Sequence, residues 1–550
     1  MPRDIPVGNG RLLINFDSRY QLRDLYFPHV GQENHAGAGP CRFGVFVDVP
    51  HENSSRLVWT SDPSWSVRQR YLRDTLTTSV SLSNPQLKLA MYCNDVVDFH
   101  RNIFVRKIKL RNLHAAERTV RLMHHQDFNM FGTKVGDTAY FDPELGSIVH
   151  YRGQRYLMVT FFPGSQLTSD DSQCPRIDEF ATGTSGFAGA EGTWRDAEDG
   201  HLQGNPIAQG AVDSTISHHA QLAADGEATV YMVIVAAQTR QELLELHKWL
   251  VKTTPQGVID RTTAYWRLWV VGANINFGNL PSKVVDLFKR SLLVVRTQID
   301  NGGAIIAAND SDIMQFSRDT YSYMWPRDGA LVADALDLAG FPDVARSFYT
   351  FCQRTITDQG FFHHKYNPDG SVASSWHPWV VRGQQSLPIQ EDETALVVWA
   401  LWRHYFRYRD IEFVRPLWVD VVQKAADFMC EFRDPATGLP MPSYDLWEER
   451  SGIHAFTVAT VYGGLKAARN FAVCFGDRVR AEKYDRAAEE IKAGAAAHLF
   501  SEKLGRFVRR LVPREDGSGT LEVDAAIDAS LFAIYKFHLF DVDDPRVVAT

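Results

Sequence analysis

The chain has 550 residues, 45% hydrophobic and 23% charged, an ordinary globular balance that excludes whole-chain disorder, collagen and coiled coil. With 58 Lys and Arg against 66 Asp and Glu, the formal net charge is −8. No global attraction to nucleic acid or to an anionic membrane is expected from that balance. One hydrophobic core stops growing near roughly 250–300 residues, so more than one domain is expected.

The opening, Met1-Pro2-Arg3-Asp4-Ile5-Pro6-Val7-Gly8, lacks the apolar stretch of a secretory signal. No window approaches the roughly 18 apolar residues that span a bilayer. Cys41, Cys93, Cys174, Cys352, Cys430 and Cys474 are scattered, with no Cys-x-x-Cys pair. They read as free thiols in a reducing compartment, which makes a cytoplasmic location the expectation.

Residues 1–238 read as an N-terminal β-sandwich. Leu76–Leu82, Val105–Leu110, Thr119–Met123 and Tyr156–Phe161 alternate or are β-branched and aromatic. Turn formers such as Asn84-Pro85 and Pro163-Gly164 separate them, which is the pattern of an antiparallel sandwich. The stretch 182–210, rich in Gly, Ala, Asp and Glu, is an excursion between strands. Residues 239–280 form a helical linker, opened by a Thr239-x-x-Glu242 capping box and followed by a second helix over 259–271. From 281 the periodicity is helical: 282–299, 327–338, 342–356, 391–408, 411–432, 454–475, 477–499, 524–540 and a stub from Pro545. Alternating short and long connections, the long ones at 357–390 and 433–453, suggest a helical toroid with its site in the long loops.

Three clusters carry chemistry. Tyr444-Asp445-Leu446-Trp447-Glu448-Glu449 sets three carboxylates beside a Trp. Mutual repulsion and an apolar wall raise a carboxyl pKa, as suits a general acid near neutrality; the same residues also fit a solvated acidic loop. Tyr321-Ser322-Tyr323-Met324-Trp325-Pro326-Arg327-Asp328 offers an Arg–Asp pair for sugar hydroxyls beside aromatic walls. It also fits a helix capped by Asp328. Gln390-Glu391-Asp392-Glu393 suits a helix N-terminus by the macrodipole and on its own is structural. His124-His125, His218-His219 and His363-His364 are not metal sites, since adjacent strand residues face opposite ways and no third ligand follows. Gly302-Gly303 and Gly463-Gly464 lack phosphate-loop context, and the Lys and Arg residues form no nucleic-acid patch.

Together these segments resemble glycoside hydrolase family 15, the glucoamylase family. Tyr-x-Tyr-x-Trp-x-Arg-Asp at 321–328 and Asp-Leu-Trp-Glu-Glu at 445–449 are similar to its first two signature segments, and Gln390-x-Asp392 to the one between. Ile5–Gly10 and Phe361–Gly370 resemble its bacterial branches, in which a β-sandwich precedes an (α/α)6 barrel. The resemblance implies a multidomain β + α chain, with that barrel over 281–550. It implies Glu448 as general acid and Glu449 as a ligand of the leaving-group sugar. Arg327 and Asp328 would hold the non-reducing glucose in a pocket lined by Tyr321, Trp325, Leu446 and Trp447, with Gln390 and Asp392 among the substrate-binding residues. Ser386 stands where fungal members carry a Trp, and Trp376-His377-Pro378-Trp379 supplies rings instead.

The implied activity is exo-acting, inverting release of glucose from non-reducing ends of short α-glucans, with no metal or cofactor and water as co-substrate. A trehalase of the same family is one alternative. A non-hydrolytic glucan-binding or regulatory protein is another, which the presence of a proton donor argues against. The family's general base, a late Glu, is not identified. Glu515, Glu522, Asp524 and Asp528 come too early in the helix order, although Asp528 resembles a family position near the site. The resemblance therefore implies a catalytic domain whose base and closing helices are missing. The sandwich is expected to buttress the barrel and to carry no site.

Overall fold

The computed structural model describes residues 5–550, apart from 38, 40, 51, 53, 165–174, 273–274, 310–318, 382–383 and 514–520. Cys174 and Glu515 lie outside the described residues; the other five cysteines are free thiols.

The alternating runs of the first part pair as antiparallel strands. Ile103–Asn112 lies between Leu89–Val97 and Glu227–Ala237 at the centre of a nine-stranded sheet. Strands Glu179–Thr184, Val212–Leu222, Arg118–Gln126, Arg42–Asp48 and Ser55–Trp59 form a five-stranded sheet in that order. The inward residues of the two sheets share one core, with Phe43, Val45, Leu122 and Ile216 meeting Phe104, Ile108, Val159 and Ile234. Within that core Asp95 accepts from Arg106 Nε (2.7 Å), Tyr20 Oη (2.7 Å) and Thr78 Oγ1 (2.6 Å). Burying an ion pair is tolerable only with such added hydrogen bonds.

The outer face of the nine-stranded sheet carries Val105, Met158 and Val233, which meet Leu243, Leu246, Leu250 and Val258. Those last four belong to helices Arg240–Thr253 and Pro255–Val271. Thr239 Oγ1 accepts from Glu242 N at 3.1 Å, as the capping box requires. Between strands 179–184 and 207–210 the Gly- and acid-rich stretch forms turns and one 3-10 helix, Asp196–Asp199.

Residues 1–300 with 309–320 form one compact unit, and 301–308 with 321–550 the other. Helix Ser282–Thr297, which the sequence pattern groups with the later helices, packs inside the first unit. Its Leu293 joins Leu76, Trp266 and Val270, and Arg290 donates to the carbonyls of Leu72 and Thr75.

In the second unit, helices Pro326–Leu338, Glu391–Tyr408 and Ala455–Cys474 pack in succession. Each is followed by a more exposed partner: Pro342–Thr355, the stretch 411–431 and Arg478–His498. Ala455–Cys474 is buried almost all round, which marks an inner helix. The helix expected over 524–540 does not form. Leu521–Asp524 instead pairs with Arg510–Pro513, because Arg509 and Arg510 fix the Asp524 carboxylate at 2.5 and 3.2 Å. A 3-10 turn, Ala529–Phe532, and the short helix Ala533–Lys536 follow, and the stub expected from Pro545 forms as helix Pro545–Ala549. No described helix is long and apolar enough to cross a membrane.

Each inner segment is reached through a tight turn. Gly303 (φ 99°) lies on the Ser347 carbonyl and the Phe351 Cβ, and Gly360 (φ 92°) on the Lys424 carbonyl and the Phe428 Cβ. A side chain at either would strike backbone and adopt an unfavourable φ. Gly360→Ala is expected to cost at least the roughly 1–3 kcal/mol of such backbone strain, read as a lowered midpoint of chemical unfolding.

Candidate active site

Three loops of the helical unit meet. The first, 321–325, leads into helix Pro326–Leu338, with Pro326 at a first-turn position that needs no N–H. Met324 and Tyr366 exchange both backbone hydrogen bonds at 2.9 Å, which pins the first loop to the second. The third loop is a hairpin in which Ser443 and Tyr444 pair with Gly452 and Ser451. Its turn is organised by buried Asp445, whose Oδ1 accepts from the backbone N–H groups of Glu449 (2.9 Å) and Arg450 (3.2 Å). Glu448 sits at the bend with φ 60°, a conformation uncommon for a residue with a Cβ and concentrated at functional sites.

The Glu448 carboxylate is the meeting point. Its Oε1 accepts from Trp325 Nε1 (2.5 Å) and His364 Nε2 (2.9 Å), with Arg327 Nη2 at 3.8 Å. Ser375 Oγ lies 3.0 Å from His364 Nδ1. The neutral tautomer that fits accepts from Ser375 and gives its Nε2 proton to Glu448. Both hydrogen bonds and the Arg327 ion pair fall on Oε1, which leaves Oε2 outside the set. Burial pushes the Glu448 carboxyl up, but His364, Arg327 and the Trp325 indole outweigh it and hold the carboxyl below its ordinary value. This corrects the expectation of a raised carboxyl: Glu449 is turned away and pairs with Arg450 at 3.3 Å, and the donors on Glu448 outweigh the like charges of Asp328 and Glu393.

Arg327 is buried behind Glu448. Its Nη1 donates to Gln390 Oε1 and to Asp392 Oδ2 (3.2 Å), with Glu393 Oε1 at 3.6 Å and Asp328 Oδ2 3.5 Å from Nε. Burial alone would lower the guanidinium pKa; Asp392 and Glu393 reverse that, so it stays charged. Gln390, Glu391, Asp392 and Glu393 are fully buried. Burial pushes the Asp392 carboxyl up, opposed by Arg327.

Of the residues singled out in the sequence, Trp325, Arg327, Gln390, Asp392 and Glu448 thus form one connected group. Asp328 joins through Arg327. The Tyr321 ring lies 6.1 Å from that of Trp325 and is exposed. Trp447, also exposed, donates from Nε1 to Asp528 Oδ2 at 3.2 Å. Leu446 is half-buried beside it. Glu522 is exposed on strand 521–524, and Asp524 is engaged by Arg509 and Arg510.

Two residues matter more than their sequence context suggested. His364, half of a His-His pair, bonds Glu448 directly. His377 stacks between His364 (centroids 4.0 Å) and Tyr444 (4.3 Å), and its Nε2 lies 3.1 Å from Gln390 Nε2. Burial pushes His377 down to about 3, which keeps it neutral. Exposed Trp376 stands edge-on to both imidazoles, and exposed Trp379 lies beside the neighbouring His363.

Residues 285–545 match the model of glycosyl hydrolases family 15. The helical part of the chain belongs to that family. Across nearly the whole chain it is similar to an uncharacterized glycosyl hydrolase of Methanocaldococcus jannaschii, 25% identical over 99% of this chain and 80% of that one. A glucoamylase of a Clostridium species is 23% identical over 54% of this chain and 42% of its own. A Mycobacterium tuberculosis trehalase is 24% identical over 52% and 42%. The crystal structure of a bacterial glucoamylase complexed with acarbose superposes with a TM-score of 0.71 at 15% identity, over 98% of this chain and 76% of that one. The fold is therefore that of the bacterial glucoamylase structure, a β-sandwich followed by a helical domain, and residues 285–545 are a family-15 glycosidase domain.

Proposed function

We propose that this family-15 glycosidase is an exo-acting, inverting α-glucoside hydrolase that removes glucose from the non-reducing ends of short α-glucans. The observation that carries the reading is the fixed Glu448 carboxyl. Its Oε1 is held by two hydrogen bonds and the Arg327 ion pair, and its Oε2 is the oxygen from which a proton reaches the glycosidic oxygen. Arg327 and Asp328 bind hydroxyls of the terminal glucose, Trp325 and Tyr321 form its apolar wall, and Leu446, Trp447 and Glu449 continue toward the leaving-group sugar. Water attacks from the opposite face, activated by a second carboxylate; inverting enzymes set the two carboxyls roughly 6.5–9.5 Å apart to admit it. Gln390 and Asp392 orient Arg327 from behind.

Glucose release from maltose, isomaltose, panose and trehalose tests the reading. Release from maltose or isomaltose, as the β-anomer, is expected. Turnover of trehalose alone would establish the trehalase alternative, the activity that names the Mycobacterium relative. Binding without turnover would establish a glucan-binding protein.

The clamp on Glu448 sets a pH dependence. The free enzyme needs this group protonated, so kcat/KM falls as pH rises through its pKa. A carboxyl held below its ordinary value places that alkaline limb in the acidic range. His364→Ala removes one donor while burial stays, so the limb should move to higher pH. A pH–rate profile that keeps its alkaline limb in the variant would exclude this role for His364.

A further inference from the structure

The nine-stranded sheet of the first unit is covered only in part on its outer face. Helix Arg240–Thr253 packs over strands 155–163 and 227–237, and Pro255–Val271 over 89–97 and 103–112. Beyond them, toward the edge strand Ile207–Gly210, no described helix packs closely on the same face. Pairing places Thr138 opposite Tyr151, Tyr151 opposite Tyr156, and Tyr140 opposite Ile207. Because side chains alternate along a strand, Thr138, Tyr140, Tyr151, Tyr156 and Ile207 all project from this face. They line a cavity of about 510 Å³, bounded by Arg240 at the start of the covering helix.

The lining is specific in character. The Tyr151 and Tyr156 rings lie nearly parallel, 10° apart with centroids at 5.6 Å, and Tyr140 stands edge-on to Tyr151 at 5.9 Å. All three rings are only partly covered, and Ile207 is 59% exposed. Arg240 hydrogen-bonds Tyr140 and lies 3.8 Å from Asp142 Oδ2. Its charge is thus already compensated, and the cavity has no call for an anion. Flat aromatic faces with a rim of phenol, Thr hydroxyl and guanidinium donors match a neutral ligand that has an apolar C–H face and a hydroxylated edge. A pyranose ring has both.

We propose that this cavity is a second carbohydrate site, remote in sequence from the catalytic residues, which holds a short stretch of α-glucan chain by stacking on Tyr151 and Tyr156. The choice of α-glucan over other polysaccharides rests on the proposed activity. The site would retain polymeric substrate without acting on it.

The test is native electrophoresis through gels containing soluble amylopectin, dextran, barley β-glucan or no polysaccharide. The full chain is used as the Glu448→Gln protein, so that the matrix is not consumed. Retardation by an α-glucan is expected, with at least about a fivefold weaker apparent affinity in Tyr151→Ala. Ile207→Lys, an exposed change that puts a charged chain across the cavity mouth without touching the core, should act alike. In the active background both variants should turn over maltose as the parent does, and show a raised KM on amylopectin alone. Equal retardation of variants and parent, no retardation of the parent, or equal retardation by β-glucan would each overturn the proposal. If neither maltose nor isomaltose is hydrolysed but retardation still depends on Tyr151, the proposed activity fails and the second site stands.

Discussion

Glu448→Gln is expected to reduce kcat on maltose or isomaltose by roughly two to four decades, the usual contribution of a general acid. The glutamine keeps the size of the side chain, and its Oε1 can still accept from Trp325 Nε1 and His364 Nε2, so the bend and its clamp persist. What is lost is the transferable proton. Binding of maltose should therefore survive while turnover collapses. A substrate with a good leaving group, such as an aryl or fluoride glucoside, needs less protonation and should lose less. Near-normal hydrolysis of maltose by this variant would remove Glu448 from the mechanism.

Arg327→Met should be the most damaging change to stability in the helical unit. The guanidinium is the buried cation facing Asp392, Glu393 and Glu448. Removing one partner from a buried ion pair typically costs about 3–5 kcal/mol, because a charge is left without compensation. The loss should depend on pH with a definite sign. Burial already raises the Asp392 carboxyl, and without Arg327 it rises further. A group whose folded pKa is raised contributes stability below its unfolded pKa and loses it as pH rises through the folded one. The variant's deficit against the parent should therefore be smallest in mild acid and grow toward neutrality. Chemical unfolding on both sides of the ordinary carboxylate range reads this directly. A deficit that is the same at both would mean that lost packing dominates over the uncompensated charge.

The two-part architecture was legible because its signals are local. Alternation in Val105–Leu110 and Tyr156–Phe161, and the Thr239 cap, depend on residues within one element. Two expectations failed where a distant partner decided. The spacing over 282–297 predicts the helix that forms, but its membership in the first unit rests on Leu76, far away in the chain, as well as on Trp266 of the preceding helix. The run 524–540 has helical spacing, yet two arginines at 509 and 510 hold Asp524 in a strand. The site shows the same division. The Arg-Asp and Trp-Glu-Glu segments stand out in sequence and converge in space. The sign of the Glu448 shift did not, since it comes from His364, eighty-four positions earlier and outwardly an ordinary His-His pair.

The docked glycines described above have a wider consequence. Gly303 precedes the loop that delivers Trp325 and Arg327. Gly360 precedes the one that delivers His364 and Gln390. Gly438 (φ 72°) faces the Glu490 carbonyl of helix Arg478–His498 more loosely, ahead of the loop with Glu448. The first two meet a helix carbonyl and, four residues on, a phenylalanine. The proposed catalytic centre is thus assembled by repetition: successive hairpins each carry a glycine against a helix carbonyl ahead of their connecting segment, and each segment donates one fragment of the site. What lies downstream of each anchor is free to lengthen, shorten or exchange its aromatic rings, while the scaffold that aims it is unchanged. Substrate preference can therefore drift one segment at a time, and grafting a whole segment between glycine and helix should transplant selectivity with less disturbance than scattered point changes.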